Sequence, residues 1–341
     1  MSLTLLLGTY TRGNSQGIYT IDLDTDQKEL KNLQLLAKTE SPTYLTQADN
    51  GKTIYAVYSK DGQGGVASFV KENNKYILKE AVTEEGSAPC YVAYDKVRKL
   101  VYSANYHKGE LQTYKTDVNG SLSLIDTIKH SGSGPHENQE KAHAHYFDLT
   151  PDNKYVVSCD LGTDEVHTYE VNLDGNTKEV SKLDVKGGFG PRHLVFHPDG
   201  THAYLFGELS CEVKVLKYKD GVFKVIDTIS TLPDDFSGEN SGAAIRISKD
   251  GKYLYASNRG HDSIVTYQIN DDYSIRAIDW IKTEGKTPRD FNLTPDEQFV
   301  IAGHQHENKL TLFERNKATG KLTLLQKDVE APEVVCIEFI Q

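Results

Sequence analysis

An all-β fold made of seven repeats, each of four short strands, is what this 341-residue sequence predicts, and three observations carry the expectation. The composition, with 20 Tyr, 27 Gly and 10 Pro, favours strands and turns over helices. The apolar runs are four to seven residues long and bounded by turn chemistry, as in Lys52–Tyr58, Lys99–Ala104, Lys154–Ser158 and Lys252–Ser257. Finally, six segments align under one another without gaps. They are PTYLTQADNGKTIYAVYS from Pro42, PCYVAYDKVRKLVYSANY from Pro89, AHYFDLTPDNKYVVSCDL from Ala144, PRHLVFHPDGTHAYLFGE from Pro191, GAAIRISKDGKYLYASNR from Gly242 and PRDFNLTPDEQFVIAGHQ from Pro288. No apolar stripe of helical spacing extends beyond about two turns.

Each segment reads as strand, turn and strand. The turns are marked by Asn50, Asp152, Asp199, Asp250 and Asp296, whose short polar side chains bond to nearby backbone. A second pair of strands follows each hairpin, for example Glu165–Val171 with Glu179–Leu183, Val213–Tyr218 with Phe223–Ile229, and Ile264–Ile269 with Ile275–Trp280. Four strands per roughly 40–50 residues is the unit of a β-propeller blade. A seventh start at Pro332 supplies one strand within PEVVCIEFIQ, and the strands it lacks stand at the other end of the chain: Leu3–Thr9, Gly17–Leu23 and Asn32–Ala37. The expectation is therefore one seven-bladed domain over residues 1–341, its ring closed by pairing N-terminal strands with the C-terminal strand. Such closure removes an open edge. Trp280 is the sole Trp, so the WD40 variety with its repeated Trp-Asp is not expected.

The charge balance excludes several partners. With 38 Lys+Arg against 49 Asp+Glu, a net charge of −11 and no basic block, neither nucleic acid nor an anionic membrane is the expected partner. No stretch approaches the ~20 apolar residues of a membrane helix, and Leu3–Leu7 is too short for a signal peptide, which predicts a soluble cytoplasmic protein. Cys90, Cys159, Cys211 and Cys336 are scattered without a C-x-x-C pair, as expected of reduced, buried thiols. An anionic ligand would need positive contacts gathered locally.

The repeat register places such contacts. The residue one past each start is Thr43, Cys90, His145, Arg192, Ala243, Arg289 or Glu333; the residue sixteen further on is Ser59, Tyr106, Leu161, Glu208, Arg259 or Gln305. Lying nearly equidistant from the turn, the two are expected opposite each other at one end of the hairpin, ringing a mouth of the central channel. Three Arg, one His and two Glu fall on these two positions. Two polar inserts, His130–Lys141 and Thr231–Asn240, precede segment starts and are expected on the same mouth, where binding loops gather.

GPRHLVFHPDG (Gly190–Gly200) with Glu208, HAHYFDLTPDNKYV (His143–Val156) with DLGTD (Asp160–Asp164), and SNRGHDSI (Ser257–Ile264) resemble the seven-bladed propeller lactonases. That family includes propeller-type 6-phosphogluconolactonases and 3-carboxy-cis,cis-muconate lactonising enzymes, and the resemblance covers nearly the whole chain. It implies a site of one His, two Arg and one Glu without a required metal. Carried over, these are Arg192, Glu208, Arg259, and either His143 or His145.

Lactone opening needs a water activated against the carbonyl, donors for the oxyanion and a proton for the departing ring oxygen. Histidine, with an ordinary pKa near 7, is the expected base. The arginines hold a phosphate, carboxylate or oxyanion, and Glu208 orients or neutralises them. Arg289, Tyr106 and His261 are candidate substrate contacts. The expected function is hydrolysis of a small anionic substrate, 6-phosphogluconolactone, with no cofactor and no metal. The alternatives are a muconate-type cycloisomerase and a non-catalytic propeller that binds a sugar acid or a protein. Each residue also has a purely structural reading: Arg192 and Glu208 as an ion pair locking a hairpin, Arg259 as a tie to carbonyls of the next blade, Arg289 as a partner of Asp290, and the tip of DLGTD as a turn held by Asp side chains. The pairs His143/His145 and His304/His306 lack a third metal ligand at recognisable spacing.

Overall fold

Each of the six aligned segments folds into the first two strands of a four-stranded sheet in the structure, a computed structural model that describes residues 2–49, 51–73 and 75–340. In chain order, six sheets span 45–85, 91–129, 144–184, 191–230, 241–282 and 288–330; we call them sheets 1 to 6. Within each, neighbouring strands follow chain order. The seventh sheet is composite: Val334–Phe339 pairs with Ser2–Thr9, followed by Gly17–Asp24 and Glu29–Lys38. The C-terminal strand therefore completes a sheet begun at the other end of the chain, as the split seventh repeat predicts. Among the described residues there is no helix, and so none long and apolar enough to cross a membrane.

The turn chemistry is the one the repeats spell out. Asp152, Asp250 and Asp296 each accept, on Oδ1, the hydroxyl of a Thr or Ser two residues earlier (Thr150, Ser248, Thr294) and the backbone N–H two residues later. Asp199 accepts from the Thr201 N–H and hydroxyl instead, His197 standing where the others have a hydroxyl. Asn50 lies outside the described residues. These side chains offer the backbone a local partner that closes a tight turn, which is why the same residue types recur at one offset.

Burial runs from the inside of each sheet outward. The second strands are buried almost throughout (Leu100–Asn105, His202–Gly207, Phe299–His304). The fourth strands are largely exposed and rich in Lys and Glu (Lys75–Glu85, Thr177–Asp184), charges that discourage edge-to-edge pairing.

The chain divides into two compact units. One holds residues 2–7, Thr20–Gln34 and Arg192–Phe339, with Tyr204, Phe206, Leu254 and Tyr267 in one buried cluster and Tyr255, Phe291, Val300 and Phe313 in another. The other holds Gly8–Tyr19 and Leu35–Pro191, with Tyr55, Val66, Val101 and Tyr114 among its buried residues. Each such side chain contributes about 1.5–3 kcal/mol by leaving water. Cys159, Cys211 and Cys336 are buried, Cys90 is half-buried, and none forms a disulfide.

Candidate active site

The expected opposition of the two register positions needs a correction. In sheets 3, 5 and 6 the first strand carries a β-bulge next to the segment start, at His145, at Ala243–Ala244 and at Arg289. The start itself pairs with the second strand (Ala144 with Asp160, Gly242 with Asn258, Pro288 with His304), and Arg259 stands opposite Ser241. A bulge adds one residue to one strand and re-aims its side chain. His145 and Arg289 thus leave the ladder that a regular hairpin would have kept them in.

The hydrogen bonds nevertheless join the expected partners. In the unit that contains Arg192–Phe339, the Arg192 Nε donates to Glu208 Oε2 at 2.9 Å, and Arg289 Nη1 donates to Gln305 Oε1 at 3.0 Å. Glu208 also accepts Arg259 Nη2 on its other oxygen, Oε1, at 3.0 Å. Both arginines reach the bulged strand of sheet 5, Arg192 Nη1 to Ala243 O and Arg259 Nη2 to Gly242 O, each at 2.6 Å. The carbonyl that Arg259 reaches is in its own sheet and not in the next one, as its structural reading had it; the tie to a neighbouring sheet is made by Arg192, from sheet 4 to sheet 5. One carboxylate between two guanidiniums leaves a net charge of +1, and arginine cannot shed its proton. The cluster is largely buried: the side chains of Arg192, Arg259 and Glu208 are 3%, 12% and 18% exposed. Arg259 Nε is buried with no hydrogen-bond partner among the described residues. A buried charged donor without an acceptor, inside a net positive cluster, is suited to an anion.

Asp290 turns its carboxylate away from its neighbour Arg289, to Arg246 Nη2 at 2.8 Å and to the Ile337 N–H at 2.8 Å. Burial pushes its pKa up, with Arg246 and Arg192 acting in the opposite sense.

The insert Thr231–Asn240 is pinned to this cluster by a residue that the sequence reading did not single out. Asn258, fully buried and one residue before Arg259, donates from Nδ2 to Thr231 O, while its Oδ1 accepts the Thr231 hydroxyl and Asn240 Nδ2. One amide thereby holds both ends of the insert. Trp280 Nε1 adds a bond to Thr231 O at 2.9 Å. Asn240 Oδ1 in turn accepts the His261 N–H, and the His261 ring lies edge-on to Phe236 of the insert, 4.9 Å between centroids. His261 Nδ1 is 2.7 Å from Ser263 Oγ, and burial, helped by Lys282, holds its pKa below 6.5. The available signal for Asn258 was its place in SNRGHDSI, inside the strand and directly beside Arg259.

In the other unit, His143, His145 and Tyr106 are brought together. The Tyr106 ring stacks on His143 at 4.2 Å and lies 6.0 Å from His145, edge-on. His143 Nδ1 donates to Tyr106 O at 2.8 Å, and its Nε2 is 3.1 Å from Glu140 Oε2. Both nitrogens of His143 are thus engaged. His145, 4% exposed, has its backbone carbonyl 3.8 Å from the Cys90 thiol.

The insert His130–Lys141 is anchored at both ends within this unit. His130 Nδ1 lies 2.7 Å from Asp160 Oδ2 and its Nε2 2.8 Å from the Tyr169 hydroxyl, while buried Gln139 donates to Leu161 O. Asp160 Oδ1 accepts the N–H groups of His143, Gly162 and Thr163, and Asp164 accepts those of Gly188 and Gly190. The DLGTD segment spends its carboxylates on backbone N–H groups and on His130. Among the described residues no group of three or more His, Cys, Asp or Glu side chains is arranged to hold a metal.

Burial raises the pKa of Asp160, but the His130 bond and charge and the backbone donors outweigh it, and the net shift is below 3.8. A depressed carboxylate stabilises the fold fully above its unfolded value and loses that contribution as pH falls through the lower native one. Asp160→Asn is therefore expected to destabilise the protein by about 1–3 kcal/mol at neutral pH. In urea unfolding the gap to wild type should close below pH 3.8. A gap independent of pH would mean that the charge is not what Asp160 contributes.

Comparison with known proteins places these features. The family described as "Lactonase, 7-bladed beta-propeller" matches residues 4–339. A Bacillus subtilis protein named 6-phosphogluconolactonase is 41% identical, over 98% of this chain and 97% of its own length. A crystal structure of a Lactobacillus plantarum protein superposes with a TM-score of 0.98 at 45% identity, covering all of both chains. A Pseudomonas aeruginosa periplasmic gluconolactonase superposes with a TM-score of 0.94 at 28% identity, covering 100% of this chain and 99% of its own.

Proposed function

Because the chain belongs to the seven-bladed β-propeller lactonase family and is 41% identical to a protein named 6-phosphogluconolactonase, we propose that its substrate is 6-phosphogluconolactone, hydrolysed to 6-phosphogluconate in cytoplasmic carbohydrate metabolism. The observation that carries this reading is the pair of arginines sharing one carboxylate, with Arg259 Nε–H left to donate.

Water adds to the lactone carbonyl as a base takes its proton. The carbonyl oxygen becomes an oxyanion, and the ring C–O bond then breaks as the ring oxygen accepts a proton. Arg192 and Arg259 supply fixed positive donors for an anionic group of the substrate or for the oxyanion. Both are held in place before substrate arrives by carbonyls of sheet 5, so little reorganisation accompanies the reaction. Glu208 keeps the two guanidiniums from repelling each other and is assigned to positioning. Arg289, which donates to Gln305, and His261 are assigned to substrate contact. Of the two histidines, His145 is proposed as the base and His143 as a structural residue, since both nitrogens of His143 are already committed.

The test is hydrolysis of freshly prepared 6-phosphogluconolactone with spontaneous opening subtracted, beside unphosphorylated gluconolactone and a muconate-type diacid. The phosphorylated lactone is expected to be opened fastest. A rate equal to background on the phosphorylated lactone refutes the substrate, and preferential turnover of either comparison compound reassigns it.

A further inference from the structure

We propose that the unit containing Leu35–Pro191 carries a second ligand site, for a small organic anion with an apolar body. A cavity of about 480 Å³ opens there, within the roughly 300–1,000 Å³ typical of small-molecule sites. None of its lining residues is among those assigned to catalysis above.

The floor is apolar. Tyr58 and Phe69 are 8% and 1% exposed, whereas Leu78 remains 47% exposed beside them. Apolar surface that the fold leaves uncovered next to a concavity marks a binding position more often than a lone surface residue does. The rim is cationic: Lys38 and Lys60 both line the cavity, and neither has an ion-pair partner among the described residues. Glu40 is the one acidic residue of the lining, so the rim keeps an excess of positive charge. In the wall, Thr39 Oγ1 is buried and has no hydrogen-bond partner among the described residues. A buried hydroxyl in that state is costly, and a ligand oxygen would relieve it.

The walls are tied together without a ligand, so the cavity is formed in advance. The Thr39 N–H donates to Gln16 O and the Ser41 N–H to Thr11 Oγ1, each at 3.1 Å, and Glu40 bridges to Ser59. Gly17 makes the close approach possible. Its φ is 146°, and a Cβ there would sit 2.2 Å from Ala37 O and 2.7 Å from Thr39 N. Two ammonium groups above an aromatic and aliphatic floor fit a carboxylate or phosphate monoester whose body is aryl or alkyl.

The probe is 1-naphthyl phosphate, with 1-naphthol and inorganic phosphate as the two half-ligands, read by isothermal titration calorimetry. To keep the arginine cluster from capturing the phosphate, binding is measured in Arg259→Met. Saturable one-to-one binding is expected there, tighter than for either half-ligand, and weakened about tenfold or more when Lys38→Met and Lys60→Met are added. In the otherwise wild-type chain, the lysine pair is expected to leave lactone hydrolysis unchanged. Absence of saturable binding in Arg259→Met, or an affinity there indifferent to the two lysines, overturns the site. Neither result bears on the hydrolase reading, which the lactone assay tests separately.

Discussion

Replacing His145 by alanine is expected to slow lactone hydrolysis by about 10²–10⁴, the range a positioned general base contributes. The loss should fall on kcat, because a base acts in the transition state rather than in ground-state binding. His143→Ala should behave differently. Its ring is stacked on Tyr106 and bonded to Tyr106 O and Glu140, and removing it costs about 1–3 kcal/mol of stability through the loss of these contacts. Steady-state kinetics and thermal unfolding of the two variants separate these outcomes. Wild-type turnover in His145→Ala together with its loss in folded His143→Ala would exchange the two roles.

Removing the Arg259 guanidinium in Arg259→Met is expected to lower turnover by about 10²–10³, the cost of deleting one donor aimed at developing negative charge. Methionine keeps much of the unbranched stem, so the change tests charge and donors more than packing. Glu208→Gln probes the same cluster from the other side. It retains the shape but leaves two guanidiniums facing a neutral amide, and a loss of at least about tenfold is expected as the arginines move apart. Circular dichroism provides the control. If either variant loses its fold instead of its activity, the cluster is an ion-pair lock and the structural reading of Arg192, Glu208 and Arg259 stands.

The sheets were legible because their causes are local. The strand Glu165–Val171 has the same bounds in the sequence reading and in the structure, since alternation and turn residues suffice to bound a strand. Strands such as Asn32–Ala37 came out longer, Glu29–Lys38, because pairing to a neighbour extends a strand past its apolar run. The composite seventh sheet followed from counting strands against repeats, and the turn aspartates from their constant offset. The pairing of Arg192 with Glu208 was legible too, both residues standing at the same end of one hairpin.

What was not legible lies between hairpins. The bulges at His145, Ala243–Ala244 and Arg289 carry no Gly or other marker in the sequence at the bulged residue itself, yet they decide where those side chains go. The same holds for the link from Glu208 to Arg259, the reach of Arg192 to Ala243 O across 51 residues, and the choice of Arg246 rather than Arg289 as partner of Asp290. By itself, the sequence determined the strand count, the repeat and the residue types gathered near one end of each hairpin. Only the tertiary structure decided which carboxylate serves which arginine, that Asn258 holds both ends of the Thr231–Asn240 insert, and that His143 is already engaged. The physical reason is range: strands and turns are set by backbone geometry over a few residues, whereas a buried charge takes whichever partner the packing of distant strands brings within about 3 Å.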